Sequence, residues 1–315
     1  MEGRDTSHLE AMVAAVEALA AEGRAQLDER RVAEVHDELE RMAASTAWKL
    51  GHDALRLGEL RRQHAAEMER FSEEVRRLTV DAASERAQRL AGMVDSWRQD
   101  LLDHPDLLGP DTDLLLEADF IRSWASSDNL VEERRRPGVT WARYRVREEA
   151  DAIRAHATEK VSFYTVWQNP TDHDVLVDVQ SRMTVNGHLD VAADGAGVAA
   201  WFFPRPRAAV EVEARLTLWQ LWSDPAPQVV ADTRPIATAS AEGGFLGASD
   251  GSFVSAAPGL ATTGFWVRGG SAILLESSLV VDYDALSGSV DADFAADPSF
   301  NVGWAYATVT RHPLL

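Results

Sequence analysis

Between Leu9 and Leu101 apolar residues recur at alternating steps of three and four, through Leu9, Met12, Val16 and Leu19, then Val32, Val35, Leu39 and Met42, then Leu57, Leu60, Met68, Phe71, Val75 and Leu78. With His64 counted in it, the last group keeps a mean step of about 3.5 residues, the spacing that holds one apolar stripe against a partner helix. His64 sits on that stripe, and Leu90, Val94, Trp97 and Leu101 continue it. Ser7 or Thr6 with Glu10 supplies a capping-box start, and His104-Pro105 with Gly109-Pro110 supplies the stop. Gly51-His52-Asp53 interrupts the run, with Gly51 suited to end one helix and Asp53 to cap the next. Two arms of about 65 Å each would fold into an antiparallel hairpin, which the break favours; the alternative is one rod of about 140 Å bundled with copies from other chains.

After Pro110 the period falls to two. Val175, Val177, Val179, Met183 and Val185 alternate with Leu176, Asp178, Gln180, Arg182 and Thr184, the pattern of a half-buried strand. Asn186-Gly187 follows as the strongest hairpin signal in the chain. Val210, Val212, Ala214, Leu216 and Leu218 form a second alternating strand. Further strands are expected at 161–168, 198–203, 228–240, 264–268, 272–283, 288–295 and 299–310, with turns rich in Gly, Pro, Asp and Ser between them, Ser249-Asp250-Gly251 included. Leu114 to Trp124 reads as the first strand, 125–138 as a polar loop, and 147–160 fits either helix or strand.

These periods predict an α + all-β chain: an N-terminal long helical coiled coil, antiparallel hairpin favoured, followed by an antiparallel β-sandwich or jelly roll, with a closed barrel as the lesser alternative. The expected divisions are 1–104 for the helices, 105–160 for a connecting segment with the first strands, and 161–315 for the sandwich.

The net charge of −20 sets a field that repels phosphate backbones and anionic lipid, so the expected partners exclude nucleic acid. Absence of cysteine excludes disulfides, thiolate metal sites and a Cys nucleophile. The polar start, Met1-Glu2-Gly3-Arg4-Asp5, does not resemble a secretory signal, and no apolar run approaches the roughly 18 residues of a spanning helix; cytoplasmic synthesis without stable membrane insertion is the expectation, and the final location is left open.

Candidate chemistry rests first on tryptophan. Trp201, Trp219, Trp266 and the neighbouring Leu221 are candidates for a glycan or protein contact, because an indole face suits the C–H face of a sugar ring. Trp219 and Leu221 share parity with Glu211 and Glu213, the polar side of their strand, whereas Trp222 and Trp304 match the apolar side and read as core. The pairs Asp172/Asp174, Asp282/Asp284 and Asp291/Asp293 offer carboxylates of the kind calcium uses, but no loop has a defined calcium spacing; solvated strand edges are the plainer reading, and no cofactor or metal is assigned. Arg143, Arg145 and Arg147 fall on one side of a strand and read as a salt-bridge seam, within the chain or between subunits, against helix carboxylates; His64 joins that seam as a candidate for contacts between identical chains. His156, His173, His188 and His312 match no triad or zinc pattern, and the chain has neither a G-x-S-x-G nor an H-E-x-x-H motif.

The composite expectation is a non-enzymatic, homo-oligomeric interaction protein in which helices assemble a β domain that meets a protein or glycan. Two alternatives stand beside it: a membrane-active, toxin-like protein using the amphipathic helices, and a carbohydrate-active enzyme in the strand region.

Overall fold

The computed structural model describes residues 88, 89, 92–96, 98–104, 108–124, 129–136, 140–195, 205–222, 228–243 and 247–313. Among the described residues α-helix lies between 88 and 103, and almost all the rest is strand: β1 (Thr112–Leu115), β2 (Phe120–Trp124), β3 (Leu130–Arg134), β4 (Thr140–Gln168), β5 (Val175–Ala193), β6 (Arg207–Gln220), β7 (Gln228–Glu242), β8 (Ala248–Ala256), β9 (Gly259–Val267), β10 (Ala272–Phe294) and β11 (Asn301–Pro313). No helix among the described residues is long and apolar enough to cross a membrane.

All eleven strands belong to one antiparallel sheet. Its spine is β4 against β10, paired from Ala272↔Gln168 to Phe294↔Tyr144. From the first part of β10 the sheet continues through β6 to β7. The last part of β10 and then β11 share one lane between β4 and β5, and β8 and β9 together fill the lane on the other side of β5. The two ends of this path meet through side chains: Asp250 accepts the Ser240 amide at 3.1 Å, and Asp232 accepts the Ala261 amide at 3.0 Å. Those bonds stitch β7 to β8 and β9, so the sheet curls into a barrel-like wall.

Alternation explains which side of each strand faces in. Val175, Val177, Val179, Met183 and Val185 are inward and fully or almost fully buried, as are Val210, Val212, Ala214, Leu216 and Leu218 on β6. On β10 the inward set changes parity, from Ile273, Leu275, Leu279, Val281, Tyr283 and Ala285 to Val290, Ala292 and Phe294. The change is made by a bulge between Leu286 and Gly288, where Ser287 takes a left-handed φ of 49°. On β4, residues 151–153 sit opposite that bulge, and the inward set changes with it, from Ala142, Tyr144 and Val146 to Val161, Phe163 and Trp167. An extra residue in a strand turns every later side chain to the other face, so matched irregularities on two paired strands keep both apolar sets in one core.

The α + all-β expectation is corrected by this arrangement. The described residues hold no long coiled coil, and they form one continuous barrel-like sheet in place of the two separate layers of a sandwich or jelly roll. Of the stripe that continued the predicted coiled coil, Val94 is buried and Leu101 half-buried, while Leu90 and Trp97 lie outside the described residues. The earlier part of that stripe, with the Gly51 break and His64, lies outside the described residues. The sandwich reading failed because residues taken for turns are strand interior. Ser287-Gly288 is a bulge within β10, Ser249-Asp250-Gly251 belongs to β8, and Asn186-Gly187 lies in the middle of β5. The single strand expected from Leu114 to Trp124 is two short ones, and the expected polar loop at 125–138 contains β3.

Gly187 shows why the hairpin signal misled. It occupies an inward position whose space is taken by the Phe294 ring; a Cβ there would stand 2.3 Å from Phe294 Cδ1 and 2.5 Å from the Asp293 carbonyl oxygen. The glycine is required by close packing, not by a turn. Gly187→Ala should cost about 1–3 kcal/mol of stability or more through overpacking. Urea denaturation of the variant measures this, and a midpoint equal to that of the parent would show that the Phe294 contact is not restrictive.

Candidate functional site

Two tryptophans from the sequence analysis have opposite environments. Trp219, near the end of β6, is 5% exposed, and its indole N–H donates to Glu276 Oε2 at 2.9 Å. Glu276 is fully buried on β10, on the side of the sheet facing away from the main core. A carboxylate so placed needs donors on both oxygens to offset the loss of water. Its Oε1 receives three: Lys160 Nζ at 2.5 Å, Ser162 Oγ at 2.8 Å and the Tyr164 hydroxyl at 3.1 Å. The Tyr164 hydroxyl in turn accepts the Trp124 indole N–H at 2.8 Å, and Lys160 Nζ lies 4.8 Å from the Trp124 ring centre. Burial first, and then the charge of Glu276, raises the Tyr164 phenol well above its ordinary range, so it remains a neutral donor.

Register accounts for this cluster. Glu276 pairs with Tyr164 on β4 and with Thr217 on β6, so Lys160, Ser162 and Trp219 all fall on its face of the sheet. Trp219 is thereby a member of a satisfied polar network, and its ring edge is committed. No sequence signal pointed to Glu276, because nothing in its neighbourhood announces a carboxylate inside an otherwise apolar strand.

Trp266 on β9 is instead 40% exposed, on the outer face. The half-buried Trp222, just beyond β6, packs edge-to-face against it, with ring centres 5.5 Å apart. Trp222 also touches the core, which agrees with its apolar parity and makes it the support beneath an exposed ring. Trp266 pairs with Leu176 on β5, and Leu176 pairs with His312 on β11, so these three side chains form a row across adjacent strands.

Carboxylates on β5 and just before it bracket Trp266. Asp178 Oδ1 accepts the Gly264 amide at 2.8 Å, and Asp174 Oδ1 accepts the Gly269 amide at 3.0 Å. The other oxygen of Asp178 lies 2.9 Å from His312 Nε2. The result is a fixed indole face with an aliphatic neighbour and a hydrogen-bonding pair at its far end. Such a surface can stack on the apolar face of a ring and exchange hydrogen bonds with hydroxyl groups. Asp178 and His312 were not singled out for this from the sequence; the one available signal was their polar position on alternating strands.

The remaining candidates are dispersed. Leu221 is half-buried in the turn after β6, its amide directed at the Ala272 carbonyl at 3.4 Å. Trp201 and His64 lie outside the described residues. The arginine row runs along β4, and its partners are carboxylates of neighbouring strands: Arg143 lies 3.3 Å from Glu132, and Arg145 reaches Asp291 at 3.0 and 2.5 Å and Asp293 at 3.5 Å. The hydrogen bond to Asp291 raises the Arg145 value above its ordinary range. Arg147 is exposed and in register with Asp291. Asp293 is almost fully buried and accepts the amides of Ala295 and Ala296, both at 2.8 Å. Asp284 sits between Arg154 at 2.7 Å and Arg207 at 3.0 Å. Among the described residues no group of three His, Asp or Glu side chains is arranged to hold a metal ion.

No family model matches the chain, and no curated protein matches it. Solved structures overlap it weakly. The carbohydrate-binding module TmCBM61 in complex with β-1,4-galactotriose is 10% identical, with a TM-score of 0.18 over 65% of this chain and 90% of that one. The mannan-recognising module TmCBM27 is 10% identical, with a TM-score of 0.20 over 64% and 99% of the two chains. A Clostridium thermocellum xylanase 10B fragment with xylohexaose is 10% identical, with a TM-score of 0.21 over 64% of this chain and 29% of that one. At these scores the overlaps do not amount to a shared fold.

Two measurements follow from the buried carboxylates. Glu276→Ala strands Lys160 and the Trp219 indole N–H and should cost about 3 kcal/mol, whereas Glu276→Gln, which keeps acceptor and shape, should cost less; equal losses in chemical denaturation would remove the charge from the account. Burial pushes the Asp284 carboxyl up, but Arg154, Arg207 and His156 together outweigh it and hold it below its ordinary value. A depressed folded value stabilises the fold near neutrality, and this contribution disappears as pH falls below about 4. Asp284→Asn should therefore narrow the stability difference between pH 7 and pH 3, and an unchanged difference would contradict the assignment.

Proposed function

We propose that this β domain is a non-catalytic binding module that contacts glycan through Trp266. The observation carrying the reading is the exposed Trp266 ring, braced edge-on by Trp222 and set beside the Asp178–His312 pair. Exposure alone would say little, since single apolar side chains are common on protein surfaces. The bracing matters more. A ring braced by a second indole loses little conformational freedom on binding, and C–H stacking against a sugar would use the part of it that is open to solvent. Hydroxyl-directed groups within one or two strands supply the orientation that stacking lacks.

A protein partner would also use an exposed tryptophan. The polar setting of this one favours sugar: its bracketing groups, Asp174 and Asp178, are hydrogen-bonded carboxylates, whereas protein interface centres are depleted in charge. Trp219 contributes on this reading through the sheet it helps to hold.

The test is a broad glycan array with the full chain, followed by calorimetry on any sugar retained. Trp266→Ala should weaken binding at least tenfold while leaving the urea midpoint within the usual range for a surface change. Retained affinity in that variant would move the contact elsewhere, and no retention of any glycan by the parent chain would reject the reading.

A further inference from the structure

We infer that the Trp266 site takes an extended, uncharged oligosaccharide lying across β9, β5 and β11; this rests on the glycan reading above. The row Trp266, Leu176 and His312 runs perpendicular to the strands. Neighbouring strands lie about 4.8 Å apart, so Trp266 to His312 spans about 10 Å. That is longer than one sugar ring. A monosaccharide on Trp266 would leave His312 and Asp178 unused, whereas a chain of several units reaches them.

Composition changes along the row. At one end Trp266, braced by Trp222, offers its indole; in the middle Leu176 is aliphatic and half-buried; at the other end His312, half-exposed, with Asp178 one-third exposed beside it, offers donor and acceptor capacity. Stacking gives affinity at the first end, and hydroxyl recognition gives direction at the second. The Asp178 hydrogen bond to the Gly264 amide holds its carboxylate in place, so the polar end is built before any ligand arrives.

Charge selects against acidic sugars. Asp174 and Asp178 bracket Trp266 from both sides, and Asp172 stands fully exposed on the adjoining turn. The basic side chains nearby are Arg268, exposed beyond the end of β9, His173, 3.2 Å from Asp172, and His312, whose Nε2 faces Asp178. With a net charge of −20 behind them, fixed carboxylates at the ring oppose uronate, sulfate or sialate groups.

The experiment is calorimetry on the full chain with neutral homo-oligosaccharides of one to six hexose or pentose units, and with uronate oligomers of equal length. Affinity should rise at least tenfold from monomer to hexamer, and the uronate series should bind at least tenfold more weakly than its neutral counterpart. In His312→Ala the ratio of hexamer to monomer affinity should fall toward one, and His312→Gln, which keeps a hydrogen bond to Asp178, should restore part of it. Length-independent binding that Trp266→Ala still abolishes would overturn this inference and leave the glycan reading intact. Preference for uronates would overturn the charge argument alone. Failure of all series, with the parent chain folded by circular dichroism, would overturn both.

Discussion

The facing irregularities at Ser287-Gly288 on β10 and residues 151–153 on β4 are the constraint on which the rest of the wall depends. Both strands are long, 29 residues for β4 and 23 for β10, and each contributes inward side chains to both ends of the core. A long twisted strand that kept strict alternation would have to bend without changing face. The bulge separates the two requirements: it inserts the bend and resets which residues face inward. Gly288 is needed there because a Cβ would stand 2.4 Å from the Ala192 carbonyl oxygen, so β5 closes directly over the bulge. Fixing β4 and β10 in register also places Glu276 opposite Tyr164, and Ile273 opposite both Trp167 and the end of β6 at Gln220. The Trp222 support emerges from that end.

Alternation of apolar and polar residues made much of the wall legible beforehand. It located the inward faces of β6 and of the first part of β5, Val175 to Val185, residue by residue, because a half-buried strand writes its burial directly into every second position. It failed where glycine served packing. Asn186-Gly187 has the composition of a two-residue turn, but the fold uses Gly187 to admit the Phe294 ring, a demand set by a residue more than a hundred positions away. Gly251 is similar: a Cβ there would approach Asp190 Oδ1 to 2.8 Å, so the Ser-Asp-Gly sequence marks a tight cross-strand contact. Local composition cannot distinguish a glycine that bends the chain from one that makes room. The helical period falls almost wholly outside the described residues, which hold no long coiled coil.

The arginines and aspartates form a second layer of organisation, outside the core. Arg145 with Asp291, and Arg154 and Arg207 with Asp284, join β4, β10 and β6 on the outer face. Such partly exposed pairs add little stability each. Their value lies in register, because a slip of one residue would turn each charge into the core. The acidic pairs that resembled a calcium ligand set are thus used as ladder partners or as caps, as Asp293 is for the amides of Ala295 and Ala296. The same logic closes the wall at Asp232 and Asp250, where carboxylates accept the amides of a neighbouring strand.

The contrast between Trp219 and Trp266 carries the functional argument, and parity alone could not draw it. Both lie on outer faces, one opposite Leu274 on β10 and the other opposite Leu176 on β5. A buried carboxylate lies beside the first, and an indole N–H is one of few donors that can approach it while its ring fills apolar space. The ring edge of Trp219 is therefore tied down, and any ligand would have to displace a hydrogen bond to a buried charge, an exchange that costs more than stacking returns. Trp266 is under no such constraint: its neighbours Asp174 and Asp178 are satisfied by backbone amides, and two-fifths of its surface meets solvent. Of two tryptophans with the same alternation signature, the one whose neighbours are already hydrogen-bonded to others is the one left to bind.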